Sequence, residues 1–301
     1  MRWFVVFLIL VRAAYADIIM DVRVAAAQGN LPLGDSLING YRGQRGVTPE
    51  MLEALSWLAR GALELKQLDR AEGYARETET QVRGQLKRRA LDSDPHLVAA
   101  LGAAIEVEAQ VFAARGERSE ALALLRKDLV AYGRTSIRAR IQKNINLLTL
   151  EGKPAPPLDE REFLGSKPVP LAALQGKPVL LFFWAHWCGD CKAEGPLIAQ
   201  LRREYGARGL TVIAPTQRYG YVAGGQDASP QQELQYIDAV RHHFYTDVLD
   251  VPAPISEENF KLYGASTTPT LVLIDRRGIV RLYHPGAMRM DELRAALNSV
   301  L

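Results

Sequence analysis

The 301 residues contain only two cysteines, three positions apart, in Trp187-Cys188-Gly189-Asp190-Cys191. The flanks narrow what such a pair can be. Val179 to Ala185 is an unbroken apolar run rich in aliphatic and aromatic side chains, so it reads as a buried strand ending just before Cys188. Lys192 to Tyr205 follows with helical spacing. A strand leading through Cys-x-x-Cys into a helix is the setting of a dithiol-disulfide redox centre. A bridge across so short a loop constrains the unfolded chain little, which favours cycling over stabilisation as its use. Zinc takes four ligands, and without a second pair the metal reading needs His186 or a distant histidine. The expectation is therefore no metal, and no cofactor beyond a redox-active Cys188–Cys191 disulfide.

The first residues set the compartment. Trp3 to Val11 carries no charge between Arg2 and Arg12, and Ala14-Tyr15-Ala16 fits the small-x-small cleavage rule. Residues 1–16 are thus expected to be a signal peptide removed after Ala16, with an uncleaved anchor as the alternative. The apolar stretch is too short to span a bilayer. An exported protein, periplasmic or otherwise extracytoplasmic, suits disulfide chemistry. Loss of Arg2 and Arg12 takes the net charge from +3 to +1 (3 − 2 = 1). That balance leaves no electrostatic footprint for nucleic acid.

At this length two domains are expected. From residue 48 to about 150 the pattern is helical: Met51, Leu55, Leu58, Ala62 and Leu65 recur at helical spacing, as do Leu97, Leu101, Ile105, Ala109 and Phe112, and Ile137, Ile141, Ile145 and Leu148. Thr48-Pro49-Glu50 is a helix start signal, and Ser93-Asp94-Pro95 resembles it. Ala62 to Ala75 echoes Phe112 to Leu125, each reading as helix, polar turn, helix. The echo resembles tetratricopeptide hairpins, with Gly116 and Ala121 at signature positions and Lys66 where the first copy lacks its glycine. A plain helical bundle is the alternative. Residues 17–47 hold Gly29, Gly34, Gly40, Gly43 and Gly46 among few periodic apolar positions, so they read as loop or partly ordered chain. The expected division is a helical, tetratricopeptide-like domain over 17–150, a Pro-rich linker over 151–168 and an α/β domain over 169–301.

Within 169–301 the expected strands are 179–184, 210–214, 270–275 and 279–283, the last two joined at Arg276-Arg277-Gly278. Helices are expected over 192–205, 231–245 and 290–301. One crossover helix makes the first two strands parallel. The loop Pro215 to Ser229, with Tyr219 and Tyr221, should then flank Cys188, either as a substrate-contacting rim or as a loop without a role.

This half of the chain, about 152–301, resembles the thioredoxin superfamily and, within it, the exported TlpA/ResA-like branch. The residues that carry the likeness are Phe183-Trp184-Ala185-x-Trp187-Cys188-x-x-Cys191, Thr268-Pro269-Thr270 before an apolar strand, Gly176-Lys177-Pro178-Val179, and Ile274-Asp275-x-x-Gly278. The resemblance implies an α/β thioredoxin fold following an all-α, helical-hairpin domain. It implies a cis-proline loop at Thr268-Pro269 that, with Trp187, binds substrate. In thioredoxin a buried Asp on the active strand manages the proton of the second cysteine; Phe182 stands there and cannot. The branch instead carries a glutamate within Cys-x-x-Cys-x-x-Glu-x-Pro, here Glu194, which is expected to accept the Cys191 proton.

Physical chemistry gives the cysteines distinct roles. Cys188 opens a helix, where orphan N–H groups and the macrodipole favour a thiolate, so it is the expected nucleophile. Cys191, on the same face, resolves the mixed disulfide. His186 is a candidate source of nearby positive charge. The expected function is a thiol-disulfide oxidoreductase reducing protein disulfides, fed by a membrane thiol donor, with cytochrome c maturation as a setting and a protein partner on the helical domain. The alternatives are a helical-repeat binding protein with a vestigial redox domain, and a thiol peroxidase, which Trp187 and the tight pair fit badly.

Overall fold

The computed structural model describes residues 17–301, so the expected signal peptide lies outside the described residues. The described chain forms two compact units that divide between Val111 and Phe112.

The first unit is helical. Within residues 17–47, expected to be loop or partly ordered chain, the structure has two helices, α1 (Ile18–Ala27) and α2 (Leu31–Arg45). Side-chain caps outweigh the glycines: Asp17 accepts the N–H groups of Ile19 and Met20, and Asn30 accepts that of Leu33, with a proline in the first turn of α2. Gly34 has a packing reason to sit mid-helix, because a Cβ there would stand 2.3 Å from Leu58 Cδ2. α3 (Pro49–Glu64) starts where Thr48 Oγ1 accepts the Met51 N–H, and buries Met51, Leu55, Leu58 and Ala62. Leu65, expected in the same stripe, is instead the exposed C-cap of α3. α4 (Leu68–Leu86) and α5 (Pro95–Ala114) complete this part of the chain. Among the described residues, α5 is the helix long and apolar enough to cross a membrane by length and composition. It buries Leu97, Leu101, Ile105 and Ala109.

One turn geometry recurs at three places. Lys66 N–H bonds to Leu63 O and Gln67 N–H to Ala62 O; Gly116 and Glu117 bond to Ala113 and Phe112 in the same way, and Gly29 and Asn30 to Ala26 and Ala25. These are Schellman turns. Each places one residue at positive φ: Gly29 at 71°, Lys66 at 58° and Gly116 at 83°. Lys66 therefore holds a glycine conformation without being glycine. The α1–α2 turn is a third copy that composition concealed.

The second unit begins with α6 (Arg118–Tyr132) and α7 (Arg138–Thr149). The sequence pattern puts the domain division at the proline-rich segment, but the structure keeps these two helices with the sheet that follows. Asn146 Nδ2 donates to Leu262 O at 3.3 Å. A Cβ on Gly264, which has φ +63°, would meet the Lys143 backbone N at 2.3 Å. Nor is the proline-rich segment a free tether. Gly152 and Ala155 donate to Val280 O and Gly278 O, and Val280 donates back to Lys153 O. The non-proline residues make the sheet-edge bonds that prolines cannot.

The central sheet has the order β3-β2-β5-β6, built from β2 (Val179–Phe183), β3 (Thr211–Ile213), β5 (Thr270–Ile274) and β6 (Val280–Pro285). β2 pairs parallel with β3 and antiparallel with β5, which pairs antiparallel with β6. A small pair, β1 (Phe163–Leu164) and β4 (Ala253–Pro254), forms a second sheet, joined to the chain leaving β3 where Ala214 and Thr216 donate to Pro252 O and Pro254 O. The remaining helices are α8 (Gly189–Tyr205), α9 (Pro230–Phe244), α10 (Glu257–Tyr263) and α11 (Met290–Asn298). β2 is buried on both faces, which explains its unbroken apolar run. Its alternation sends Leu180 and Phe182 into one core with Ile198, Tyr245 and Leu293, and Val179, Leu181 and Phe183 into another with Phe260 and Tyr263.

Candidate active site

β2 delivers the chain to Trp184, three residues cross a short loop, and Cys188 becomes the N-cap of α8. Cys188 and Cys191 form a disulfide with a Cα–Cα separation of 5.3 Å. The Cys188 sulfur accepts the backbone N–H of Cys191 at 3.0 Å. The same N–H geometry that caps the helix would stabilise a thiolate at this sulfur once the bond is reduced. Cys188 retains slight exposure, 4%, whereas Cys191 has none. The outer sulfur is the one a substrate can reach.

Trp187 is half exposed, and its ring meets Tyr219 edge-on at 5.5 Å. The Thr268–Pro269 peptide is cis. Sheet register places it: Thr270 pairs with Phe183, so the residues before Thr270 lie beside the chain that runs from Trp184 to Cys188. Cys188, Cys191, Trp187, Thr268 and Pro269 are thus gathered at one end of the β2–β5 ladder. The loop from Pro215 also reaches this end, since β2 and β3 are parallel and Thr216 Oγ1 donates to Trp184 O.

Glu194 stands one helical turn beyond Cys191 and is 2% exposed. Its Oε1 accepts the Met288 N–H at 3.1 Å, and its Oε2 is buried without a hydrogen-bond partner. Burial pushes its carboxyl up to about 7, the Met288 bond opposing and the Asp190 charge adding. A carboxyl poised there can take or release a proton at neutral pH.

The surroundings of Glu194 include groups that the sequence did not single out. Tyr245 lies against Trp184 and Phe182, with ring centroids 5.0 and 6.4 Å away, and its hydroxyl is buried without a partner. Burial, then the Glu194 charge, raise the pKa of that phenol. A Cβ on Gly195 would lie 2.7 Å from Tyr245 Cδ1, so a helix-interior glycine admits the ring. A glycine directly after the candidate glutamate was the only local hint.

His186 does not supply the positive charge expected of it. It is 1% exposed, and burial lowers its pKa despite the bond to Glu233. Its Nε2 donates to Glu233 Oε1 at 3.2 Å, and the edges of Tyr219, Tyr221 and Tyr236 surround the ring. Glu233 also accepts the N–H groups of Tyr219 and Gly220. A neutral imidazole and a buried carboxylate therefore tie α9 and the 215–229 loop to the residue before Trp187.

This sheet, a helix-capping Cys-x-x-Cys and a cis-proline beside it define the thioredoxin class of dithiol-disulfide proteins. Residues 169–301 are a thioredoxin-like domain and match the sequence profile of that family. Similar proteins include the thiol-disulfide oxidoreductase ResA of Oceanobacillus iheyensis, 32% identical over 132 residues, or 44% of this chain and 62% of that protein. The thiol:disulfide interchange protein DsbE of Xylella fastidiosa is 29% identical over 156 residues, covering 50% and 70% of the two chains. A solved thiol-disulfide isomerase from Corynebacterium glutamicum aligns at 20% identity and a TM-score of 0.41, covering 50% of this chain and 96% of its own. The chain thus spans less than two thirds of the length of the first of these relatives.

Proposed function

We propose that the chain is an exported thiol-disulfide oxidoreductase that reduces protein disulfides through Cys188 and Cys191. The observation that carries this reading is Glu194, a buried carboxyl pushed up to about 7, one turn beneath the inner cysteine.

In the reduced protein the Cys188 thiolate attacks one sulfur of a substrate disulfide. A mixed disulfide forms, and the other substrate sulfur leaves as a thiolate that takes a proton from solvent. Glu194 takes the proton of Cys191. The Cys191 thiolate then attacks the Cys188 sulfur, the mixed bond breaks, and the second substrate thiolate departs. The substrate gains two electrons and the protein ends in the bridged form of the structure. A membrane thiol donor, itself oxidised to a disulfide, restores the dithiol. Trp187, Thr268 and Pro269 border the outer sulfur and serve as the substrate edge. In this reading the helical N-terminal region holds a protein partner, and cytochrome c maturation is one setting for such a reductase. The names of the similar proteins support the redox chemistry.

Insulin reduction by wild type and Cys188→Ser tests the activity. Turnover by wild type and none by the variant is expected; inactivity of both would overturn the reading. The direction is read from the midpoint potential of the pair in a glutathione series. A value more positive than roughly −150 mV belongs to an oxidant and would reject the reductase assignment.

A further inference from the structure

The groove beside the dithiol has a wall that the thioredoxin-like domain does not supply. A cavity of about 460 Å³ opens next to Trp187 and Thr268, and Thr135, Ser136, Arg138 and Ala139 line it at the entry to α7. These four residues lie outside the 169–301 match. The helix they lead into is tied to α10: Asn146 of α7 donates to Leu262 O, and Gly264 lets the end of α10 approach the Lys143 backbone. α10 leads in turn to the Thr268–Pro269 loop.

We propose that residues 135–139 form a specificity wall of the substrate groove, which takes an extended polypeptide segment flanking the substrate's disulfide with an acidic side chain directed at Arg138. The assignment rests on the redox reading of the site. Two observations carry it. First, Thr268 and Gln217 line the groove, and each keeps a side-chain oxygen, Oγ1 and Oε1, buried beneath its surface without a hydrogen-bond partner. Buried polar atoms are normally paired, and a rotation of either side chain on binding would turn its oxygen to an incoming backbone N–H. A small disulfide without amide groups offers no such donor.

Second, the charges on the lining are unequal. Arg138, Arg218 and Lys261 face the groove with one carboxylate, Glu257. Arg218 is paired with Glu162 behind the lining, and Lys261 with Glu257 and Glu258 at 3.0 and 2.8 Å. Glu258 is also the acid that feels the Arg138 charge, so the same carboxylate serves two cations. A carboxylate brought by the ligand fits Arg138.

The test is binding to the full chain, measured by fluorescence anisotropy of labelled octapeptides in which serines replace the cysteines. One peptide carries aspartates beside the serines and the other lysines. Wild type should bind the aspartate peptide more tightly, and added salt should narrow the gap. Arg138→Glu should raise the aspartate peptide's Kd by roughly tenfold and lower that of the lysine peptide. Ala139→Phe, which fills the wall without changing charge, should weaken both. Arg126→Glu on exposed α6 surface controls for net charge, and thermal melts report folding of each variant. Equal wild-type affinity for the two peptides, an unchanged Kd in Arg138→Glu with a weakened one absent in Ala139→Phe, or the same shift in Arg126→Glu would overturn the wall. Reduction of hydroxyethyl disulfide by wild type is measured alongside: its failure would sink the redox reading, while the Kd values still decide the wall.

Discussion

Nε2 of His186 sits 3.2 Å from Oε1 of Glu233, and each side chain is 1% exposed. The carboxylate also takes the N–H groups of Tyr219 and Gly220, so one acid organises both the approach to Trp187 and the loop opposite it. Glu233→Ala leaves the buried His186 Nε2–H and the part-buried N–H groups of Tyr219 and Gly220 without an acceptor, and a loss of about 3 kcal/mol is expected. Glu233→Gln keeps one acceptor oxygen and should lose less. Urea unfolding of the oxidised protein checks both; a loss in the alanine variant below that of the glutamine variant would contradict the assignment.

Glu194 gives the protein a pH-dependent stability of definite sign. Its carboxyl is raised from 4.5 to about 7, so the folded state holds a proton that the unfolded chain releases. The contribution is complete below about pH 4.5 and is lost as pH rises through 7, amounting to roughly 3 kcal/mol. Glu194→Gln cannot ionise and should remove this slope. Denaturation midpoints of both proteins between pH 4.5 and 8 give the comparison, and parallel curves would remove Glu194 as the group responsible.

The same substitution should separate the two chemical steps. Mixed-disulfide formation at Cys188 should change little, whereas its resolution by Cys191 should slow by about 100-fold and lose its inflection near pH 7. Rapid-mixing kinetics with a chromogenic disulfide resolve the steps. Unchanged resolution would end the proton-acceptor role.

Gly195→Ala places a methyl group where the Tyr245 ring lies, with Phe182 and Trp184 close on that ring. A destabilisation of about 1–3 kcal/mol is expected. Combining it with Tyr245→Leu should recover part of the loss, which a thermodynamic cycle of the four proteins measures.

Lys66 holds φ 58° where its two counterpart turns use glycine. Lys66→Gly relieves a left-handed penalty of about 1–2 kcal/mol and gives back part of it in chain entropy. The net expectation is a stabilisation of roughly 0.5–1 kcal/mol. A lower thermal midpoint would show that the lysine side chain makes a contribution of its own.

Features carried by local spacing were legible in the sequence. Cys188 and Cys191, the β2 run, the β5–β6 hairpin and Thr268-Pro269 are short motifs whose chemistry lies within a few residues. Helices α3, α5 and α7 showed in their apolar period, and α4 and α6 in the echoed helix–turn–helix segments. α1 and α2 did not, since their glycines mask capping by Asp17 and Asn30 and one of them answers to Leu58, far along the chain. His186 was readable only as a charge candidate, because its partner Glu233 lies 47 positions away.

By itself the sequence determined the kind of centre this protein carries: a strand, two cysteines one turn apart at a helix start, and a carboxyl one turn further on. These relations follow from covalent spacing and helical geometry. Tertiary structure alone decided the environment of that centre. It buried Glu194 under Tyr245, withdrew His186 from charge by desolvation, and set the start of α7 against the groove beside Trp187. Burial and partnership depend on which distant residues exclude water, and no local spacing encodes that.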